Sequence, residues 1–243
     1  MLSGERVRVA LLATRFVDIR IVGEVDSTNR VVRDLADAGA AEGVVVAAEH
    51  QTAGKGRLGR TWEAPARSAI LASVLLRPDL ASAERYLVTA AMALSAREAC
   101  ATVAGFRPQL KWPNDLVAGD AKVAGILAQA TSGAVVAGIG INVSASPPDA
   151  THLDALGAAV DRTDLLVALL GDLHVRLLHL ETVLVDYRAA CATIGRDVRV
   201  AIPGGRLVGR ALGVDDLGRL VVAPARGAAV ALAAGDVTHV RPG

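Results

Sequence analysis

Between Ala48 and Trp62 the chain reads AEHQTAGKGRLGRTW, in which three glycines are interleaved with three cations ahead of a closing tryptophan. Glycines let consecutive backbone N–H groups approach a ligand closely and form a concave anion site. Arginine can hold a phosphate or a carboxylate with two parallel hydrogen bonds, and the flat face of tryptophan suits stacking on a purine. The stretch therefore predicts a pocket for a molecule with phosphates, a carboxylate and an aromatic base.

A Gly/Arg-rich stretch taken alone is more often a solvated flexible loop than a binding site. This stretch does not match the Walker pattern of a phosphate-binding loop. It also differs from the GxGxxG pattern that follows a strand and opens a helix in dinucleotide-binding folds. Its interpretation as a site therefore depends on the rest of the chain.

The composition limits the classes of function that fit. The 243 residues carry 26 basic and 25 acidic side chains, a net charge of +1, so bulk electrostatics gives no case for nucleic-acid binding. Hydrophobic residues make up 52% of the chain, yet it has only two each of Trp, Tyr and Phe. The core is therefore predicted to consist of Ala, Val and Leu, in one large domain or in one domain with a small appendage.

Cysteine usage and the N-terminus both indicate a cytoplasmic protein. Cys100 and Cys191 are far apart and form no CxxC motif, which is typical of buried or idle thiols in a reducing compartment. The first 18 residues carry several charges around a short apolar run and do not resemble a signal peptide. The uncharged stretch 123–148 is interrupted by glycines and polar residues, so it predicts two buried strands around a Ser132-Gly133 turn and not a membrane span.

The periodicity predicts an α+β chain with two domains. Strands are predicted over 20–25, 43–48, 69–76, 110–117 (with a proline bend), 122–130 and 134–143, and helices over 30–38, 82–104 and 163–190. After residue 193 short β-type runs alternate with turns, one of them at 203–205, and this spacing predicts a separate small barrel. The predicted domains are 1–192 and 193–243.

Four further motifs accompany the loop, and each has an ordinary structural explanation when taken alone. Ser27-Thr28-Asn29 lies at a strand-to-helix junction and could simply cap the helix. The run Lys111–Asp115, KWPND, could be a turn. Lys122 at a strand edge would normally be solvated, and Asn142, at the end of the buried run GIGIN, could make a structural hydrogen bond.

In chain order the loop and these four motifs resemble the biotin–protein ligases, also called biotin–[acetyl-CoA-carboxylase] ligases. The resemblance covers about residues 20–145, and the C-terminal barrel is similar to the family's SH3-like domain. It implies a catalytic domain like that of class II aminoacyl-tRNA synthetases, built on a mixed sheet. It also implies the reaction: ATP activates the biotin carboxylate to biotinyl-5′-adenylate, and the acyl group passes to one lysine of a biotin carboxyl carrier domain of a biotin-dependent carboxylase.

The resemblance also implies a role for each matching residue. For biotin binding these are Ser27, Thr28, Asn29, Gln51, Gly54, Lys55, Gly56, Arg57 and Lys122. For ATP binding they are Arg57, Arg60, Trp62, Asn114, Asp115, Lys122 and Asn142, with Asp115 also expected to bind Mg²⁺. Lys122 and Arg57 are the expected catalytic residues. Lys122 would lie between the biotin carboxylate and the α-phosphate, where it stabilises two anions that must approach each other.

The chain departs from the family pattern in two respects. Lys55 stands where many relatives carry arginine, so a bidentate grip is lost at that position. The sequence has no N-terminal winged helix-turn-helix domain, so we expect a stand-alone enzyme that does not bind DNA. Binding to a membrane is not expected either, and the expected oligomeric state is a monomer or a weak dimer.

Two other functions fit part of the sequence. A lipoate–protein ligase or related acyltransferase would share the catalytic fold and a lysine in a similar place, but the GKGRLGR and KWPND motifs favour biotin. A nucleic-acid-binding module would use the local cations and the SH3-like tail. The near-zero net charge and the scarcity of aromatic residues argue against it.

Overall fold

A seven-stranded mixed sheet organises the larger part of the computed structural model, which describes residues 1–131, 133–157, 159–202 and 205–240. The strands are β1 (Asp18–Val25), β2 (Val44–Gln51), β3 (Ala69–Leu76), β4 (Gln109–Lys111), β5 (Asp115–Ala118), β6 (Ala121–Thr131) and β7 (Ala134–Asn142), in the order β1-β2-β3-β7-β6-β5-β4. Strands β1 and β2 are parallel and the other pairs are antiparallel. The predicted turns at Ser132 and at Pro203-Gly204 lie outside the described residues.

The two faces of this sheet are covered unequally. The helices are α1 (Gly4–Ala10), α2 (Thr28–Asp37), α3 (Tyr86–Ala104), α4 (Arg162–Arg176) and α5 (Leu180–Ala190). Alternate residues of the central strands pack with α1, α3, α4 and α5 into the main core, while the intervening apolar residues form a smaller cluster with α2. Because α2 covers only one end of its face, the rest of that face is open to form a cleft.

The helices differ from the sequence prediction in three places. The segment 163–190 forms two helices, because a tight turn at Leu177–His179 ends α4 and lets α5 pack separately on α3. The predicted helix over 82–104 begins with a 3₁₀ turn, and α3 proper starts at Tyr86. Helix α1 was not predicted: it is seven residues long and buries only Val7, so it has little periodic signal.

Residues 82–104 have the length and apolar composition of a membrane-spanning helix, but most of this segment is buried inside the protein against α4 and α5. The uncharged stretch 123–148 contains most of β6 and all of β7, so the two strands predicted there are present.

A second, smaller sheet follows α5. It is antiparallel and consists of β8 (Asp197–Ile202), β9 (Gly205–Val214), β10 (Leu220–Pro224), β11 (Val230–Leu232) and β12 (Asp236–His239), in the order β11-β10-β9-β8-β12. All five strands overlap the β-type runs of the sequence. Trp112 ties the two sheets together: its backbone N–H donates to Thr193 Oγ1 (3.1 Å) and its indole N–H donates to the Gly218 carbonyl (3.0 Å).

A buried ion pair fixes the N-terminus and α4 to the sheet. Glu49 on β2 accepts from Arg162 Nη2 (2.6 Å) and from the backbone N–H of Leu2 (2.6 Å), and Arg162 also donates to the Ala69 carbonyl (3.2 Å). Both side chains are about nine-tenths buried, with 9% and 10% of their surface exposed. Burial opposes ionisation of Glu49, but the Leu2 N–H and the Arg162 guanidinium together hold the pKa of this carboxyl below its usual value.

Candidate active site

The open part of the α2 face forms a cleft of about 870 Å³ that is continuous with solvent. Its walls come from the start of α2, the Gly/Arg loop, the β4–β5 hairpin and the edge of β12. The predicted site residues that line it are Ser27, Thr28, Asn29, Gln51, Lys55, Gly56, Arg57, Arg60, Trp62, Asn114, Asp115 and Lys122. Side chains from four separate motifs therefore meet in one place.

Two predicted residues, Gly54 and Asn142, do not line the cleft. Gly54 closes the loop: its carbonyl accepts from the Trp62 N–H (2.9 Å), and a Cβ atom at this position would lie 2.4 Å from the Trp62 carbonyl oxygen. Asn142 is buried and donates from Nδ2 to the Thr151 carbonyl (3.1 Å). Within the described chain its Oδ1 is buried without a partner, so one acceptor remains unused at this end of β7.

The floor of the cleft is made of glycine because two side chains lie directly on it. A Cβ atom on Gly138 would stand 1.8 Å from Asn29 Oδ1, and one on Gly140 would stand 2.3 Å from the Trp62 indole. The alternating glycines of GIGIN therefore allow Asn29 and Trp62 to pack against the β7 backbone. Trp62 is partly exposed in the cleft, and its indole N–H is buried with no acceptor among the described residues.

One end of the cleft is a buried polar network without charge. The backbone N–H of Thr28 donates to Gln51 Oε1 (2.7 Å), and the Thr28 hydroxyl lies 3.0 Å from the same oxygen. Asn29 donates from Nδ2 to the Leu127 carbonyl (3.1 Å) and to Gln129 Oε1 (3.0 Å). Ser27 occupies the cap position of α2, but among the described residues its side chain makes no capping hydrogen bond. The motif is therefore more than a helix cap.

Sequence reasoning missed Ser73, which joins this network from β3. It is fully buried, and its hydroxyl lies 2.6 Å from Asn29 Oδ1 and 2.7 Å from Thr28 Oγ1. The signal was present in the sequence, because Ser73 is the one polar residue in the apolar strand AILASVLL. A hydroxyl inside such a strand needs a partner, and here the partners are two cleft residues.

The other end of the cleft is cationic. Lys122 Nζ lies 2.7 Å from Asp115 Oδ1, an ion pair whose angles are not those of a hydrogen bond, and 5.5 Å from the centre of the Trp62 ring. Arg57 donates to Asn114 Oδ1 (3.0 Å), while Asn114 Nδ2 donates to the Ile126 carbonyl (2.7 Å). Asn114 therefore holds the Arg57 guanidinium against the sheet.

Burial lowers the pKa of the Arg57 guanidinium below its usual value, and the nearby carboxylates Asp115 and Asp236 act in the opposite direction. Arginine stays protonated even so. A partly desolvated cation interacts more strongly with an anion than one in water does, because the effective dielectric constant is lower. The cleft therefore presents a fixed positive charge to an anionic ligand at this end.

The second sheet contributes a carboxylate that the sequence did not predict. Asp236, at the start of β12, pairs with Arg60 of the Gly/Arg loop, and this contact raises the pKa of the Arg60 guanidinium. Asp236 also lines the cleft. No local motif indicates that Asp236 belongs to the site, because a Gly-Asp pair beside a short strand is typical of a turn.

Lysine has an unusual distribution in this chain. The sequence holds three lysines, Lys55, Lys111 and Lys122, and all three line the cleft. The remaining basic side chains, apart from histidine, are arginines.

Comparison with known proteins agrees with this geometry. The Biotin/lipoate A/B protein ligase family matches residues 22–146, and the Biotin protein ligase C terminal domain matches residues 193–240. The first match contains all of the cleft motifs, and the second contains Asp236. The fold and the cleft therefore define a ligase of the biotin and lipoate class.

Individual relatives show which ligases within this class the chain is similar to. A biotin–[acetyl-CoA-carboxylase] ligase of Mycobacterium tuberculosis is 42% identical over 91% of this chain and 88% of its own length. The bifunctional ligase/repressor BirA of Bacillus subtilis is 31% identical over 81% of this chain and 66% of its own length. A solved biotin protein ligase from Aquifex aeolicus, in complex with biotin and ATP, superposes with a TM-score of 0.80 at 26% identity, covering 93% of this chain and 100% of that one. The chain belongs to the biotin protein ligase family, and the predicted family and fold are confirmed.

Proposed function

We propose that this enzyme activates biotin with ATP to biotinyl-5′-adenylate and then transfers the biotinyl group to one lysine of a carrier domain. The observation that carries the proposal is the polarity of the cleft, which has a neutral hydrogen-bonding network at one end and Lys122 with Arg57 and Arg60 at the other. Biotin has the matching polarity: a neutral ureido ring at one end and a carboxylate at the other. The cations then stand where the carboxylate and the nucleotide phosphates would meet.

The main barrier to adenylate formation is bringing two anions together. A positioned ammonium stabilises the charge that grows between the attacking carboxylate and the α-phosphate, and preorganised charges of this kind need no rearrangement during the reaction. Lys122 supplies that ammonium and Arg57 a second cation. The carboxylate itself attacks the phosphate, so no covalent enzyme intermediate is required.

At the neutral end, Ser27, Thr28 and Gln51 provide the hydrogen bonds to the ureido ring. Asn29 has both amide protons engaged within the protein, so its part is to hold Thr28 and the floor in place. The loop residues Lys55 and Gly56 cover the acyl chain through their backbone, and Gly54 closes the loop by accepting from the Trp62 N–H.

We place the nucleotide at the cationic end of the cleft. Trp62 stacks on adenine, Arg60 exchanges its carboxylate partner Asp236 for phosphate oxygens, and Asn114 provides hydrogen bonds. Asn142 does not line the cleft, so its part is to hold the end of β7 through the Thr151 carbonyl. In nucleotide sites Mg²⁺ is held by one or two carboxylates together with the substrate phosphates. Among the described residues no cluster of three or more His, Cys, Asp or Glu side chains could hold a metal ion by itself. A site made of one carboxylate and the substrate phosphates needs no such cluster, and Asp115 in the cleft can supply that carboxylate. Asp115 would hold the ion, which would neutralise phosphate charge.

The acceptor is the lysine of a biotin carboxyl carrier domain, by analogy with the carboxylase ligase of M. tuberculosis. We place the reaction in the cytoplasm, where biotin-dependent carboxylases and ATP are both available, with the enzyme as a monomer or a weak dimer.

The direct test is mass spectrometry of the protein incubated with biotin, ATP and Mg²⁺. We expect a tightly held biotinyl-adenylate and, once a carrier domain is added, a carrier heavier by one biotinyl group. The same incubation with lipoate is the control. Formation of lipoyl-adenylate in preference to biotinyl-adenylate would contradict the proposal.

Replacing Trp62 by alanine should weaken ATP binding by about 1–3 kcal/mol, the range for stacking of a base on an aromatic side chain. Biotin binding should change far less, because the loop is closed by the Trp62 backbone, which the substitution leaves in place. Isothermal titration of the variant with each ligand separately measures both effects. An equal loss for ATP and biotin would assign Trp62 a purely structural role in the loop.

A further inference from the structure

The network around Ser73 contains fewer protons than contacts. Three short oxygen–oxygen contacts run in a chain: Asn29 Oδ1 to Ser73 Oγ (2.6 Å), Ser73 Oγ to Thr28 Oγ1 (2.7 Å) and Thr28 Oγ1 to Gln51 Oε1 (3.0 Å). Only the two hydroxyl groups carry protons, because the amide oxygens at the ends of the chain have none. One contact must therefore be without a hydrogen bond.

The surroundings of Asn29 decide where the protons lie. Asn29 donates both amide protons to acceptors, the Leu127 carbonyl and Gln129 Oε1, so its amide cannot be turned round and Oδ1 must face Ser73. Two bare acceptors held 2.6 Å apart in a fully buried site would repel strongly. Ser73 therefore donates to Asn29.

The remaining proton follows from that assignment. The contact of 2.7 Å between the hydroxyls is a hydrogen bond only if Thr28 donates to Ser73. Gln51 Oε1 already accepts from the Thr28 backbone N–H at 2.7 Å, and its contact with the Thr28 hydroxyl is the longest of the three, so that contact is the one left without a proton. The Thr28 hydroxyl has then used its proton inside the protein and turns only lone pairs toward the cleft.

We propose that Ser73 is a positioning residue that fixes the Thr28 hydroxyl as a hydrogen-bond acceptor and so selects ligands with an N–H group at this end of the cleft. The inference rests on the proposed function, since the ureido ring of biotin offers two such N–H groups. A ring oxygen in the same place would meet the Thr28 lone pairs and be rejected. Sites built for one polar partner discriminate strongly against analogues that lack it.

The test compares biotin with its two cyclic carbamate analogues, in which one or the other ureido N–H is replaced by a ring oxygen. In the unmodified enzyme at least one analogue should bind much more weakly than biotin. In Ser73→Ala the Thr28 hydroxyl loses its shorter acceptor contact, and Gln51 Oε1 at 3.0 Å is the protein acceptor that remains. The Thr28 proton can then be donated to the ring oxygen of the ligand instead, so the ratio of the two Kd values should fall by about tenfold or more. Any general loss of affinity caused by disturbed packing affects both ligands and cancels in the ratio.

Ser95→Ala is the matched control. Ser95 is another fully buried serine, on α3, and its hydroxyl is without a partner among the described residues. Its removal should leave the ratio at the value of the unmodified enzyme. If Ser73→Ala does not fold, Ser73→Cys, which keeps a weak donor, should give an intermediate ratio.

The outcomes separate this inference from the proposed function. If the unmodified enzyme does not bind biotin, the proposed function fails and this inference with it. If it binds biotin but the ratio for both carbamates is unchanged by the Ser73 substitution, or no carbamate is rejected at all, the role of Ser73 is wrong and the proposed function stands.

Discussion

Lys122→Ala should slow the formation of biotinyl-adenylate about 10²–10³-fold, the effect of losing one preorganised donor at a developing charge. Lys122 is the one ammonium that contacts Asp115 and the Trp62 ring at the cationic end of the cleft. Without it, no ammonium would stand between the carboxylate and the α-phosphate, and Arg57 and Arg60 would offset less of their repulsion. An ordinary strand-edge lysine would behave differently, since its loss changes stability by well under about 1 kcal/mol and leaves activity intact.

The two half-reactions provide the control. Transfer from pre-made biotinyl-adenylate to the carrier should suffer less than adenylation, because the repulsion between the two anions has already been overcome. Lys122→Arg should restore adenylation only in part, since a planar fork does not reproduce a compact point charge. Single-turnover assays on folded variants measure each step separately. If Lys122→Ala formed the adenylate at the rate of the unmodified enzyme, Lys122 would be an ordinary solvated lysine with no part in catalysis.

Arg162→Met should lower the free energy of unfolding by about 3–5 kcal/mol at neutral pH, the cost of leaving a buried charge without its partner. Glu49 would then keep the hydrogen bond from the Leu2 N–H, and the Ala69 carbonyl would lose the contact from Arg162. Such a loss is a large part of the stability of a typical domain. Urea unfolding followed by circular dichroism measures it.

The dependence on pH identifies the cause. In the unmodified protein the pKa of Glu49 is below its usual value, so this group contributes stability that is present above the usual carboxyl pKa and lost as the pH falls through the lowered one. In Arg162→Met the guanidinium no longer opposes the effect of burial and only the Leu2 N–H contact does so, so the Glu49 pKa should rise. Protonation then removes the unpaired charge, so the destabilisation should shrink as the pH is lowered toward about 5. A destabilisation independent of pH would mean that lost packing is responsible.

Arg6→Ala is the matched control for this experiment. Arg6 also links the N-terminal segment to the start of α4, through Asp161 and Asp164, but all three side chains are about half exposed. Exposed ion pairs contribute little to stability. The unfolding midpoint of this variant should therefore stay close to that of the unmodified protein.

The sequence predicts well the features that depend on local pattern. Strand β3 has the predicted bounds, Ala69–Leu76, because a continuous apolar run is what a doubly covered strand requires. The family motifs identify most of the cleft, since each motif has its own backbone geometry and chemistry. Lys122 and Asp115 come from different motifs, however, and only the register of β5 on β6 brings them to 2.7 Å.

The features that were missed depend on packing between distant segments. The turn at Leu177–His179 contains no glycine or proline, so the break between α4 and α5 reflects the separate packing of each helix on α3. Asp236 reaches Arg60 because the second sheet docks beside the cleft, where the Trp112 indole N–H donates to the Gly218 carbonyl. Ser73 has a signal in its own strand, but its partners lie 44 and 45 residues earlier in the chain.

The confinement of lysine to the cleft has a chemical consequence for the reaction. Biotinyl-adenylate is an acylating agent that reacts with primary amines, whereas a guanidinium stays protonated and is a poor nucleophile. Because Lys55, Lys111 and Lys122 all line the cleft, the 243 residues offer no lysine elsewhere to an adenylate that escapes. Leaked intermediate would therefore mark neighbouring proteins in preference to the outside of the enzyme. For the same reason, the amino terminus is the one primary amine outside the cleft, and every lysine labelled by an amine-specific reagent would report on access to the cleft.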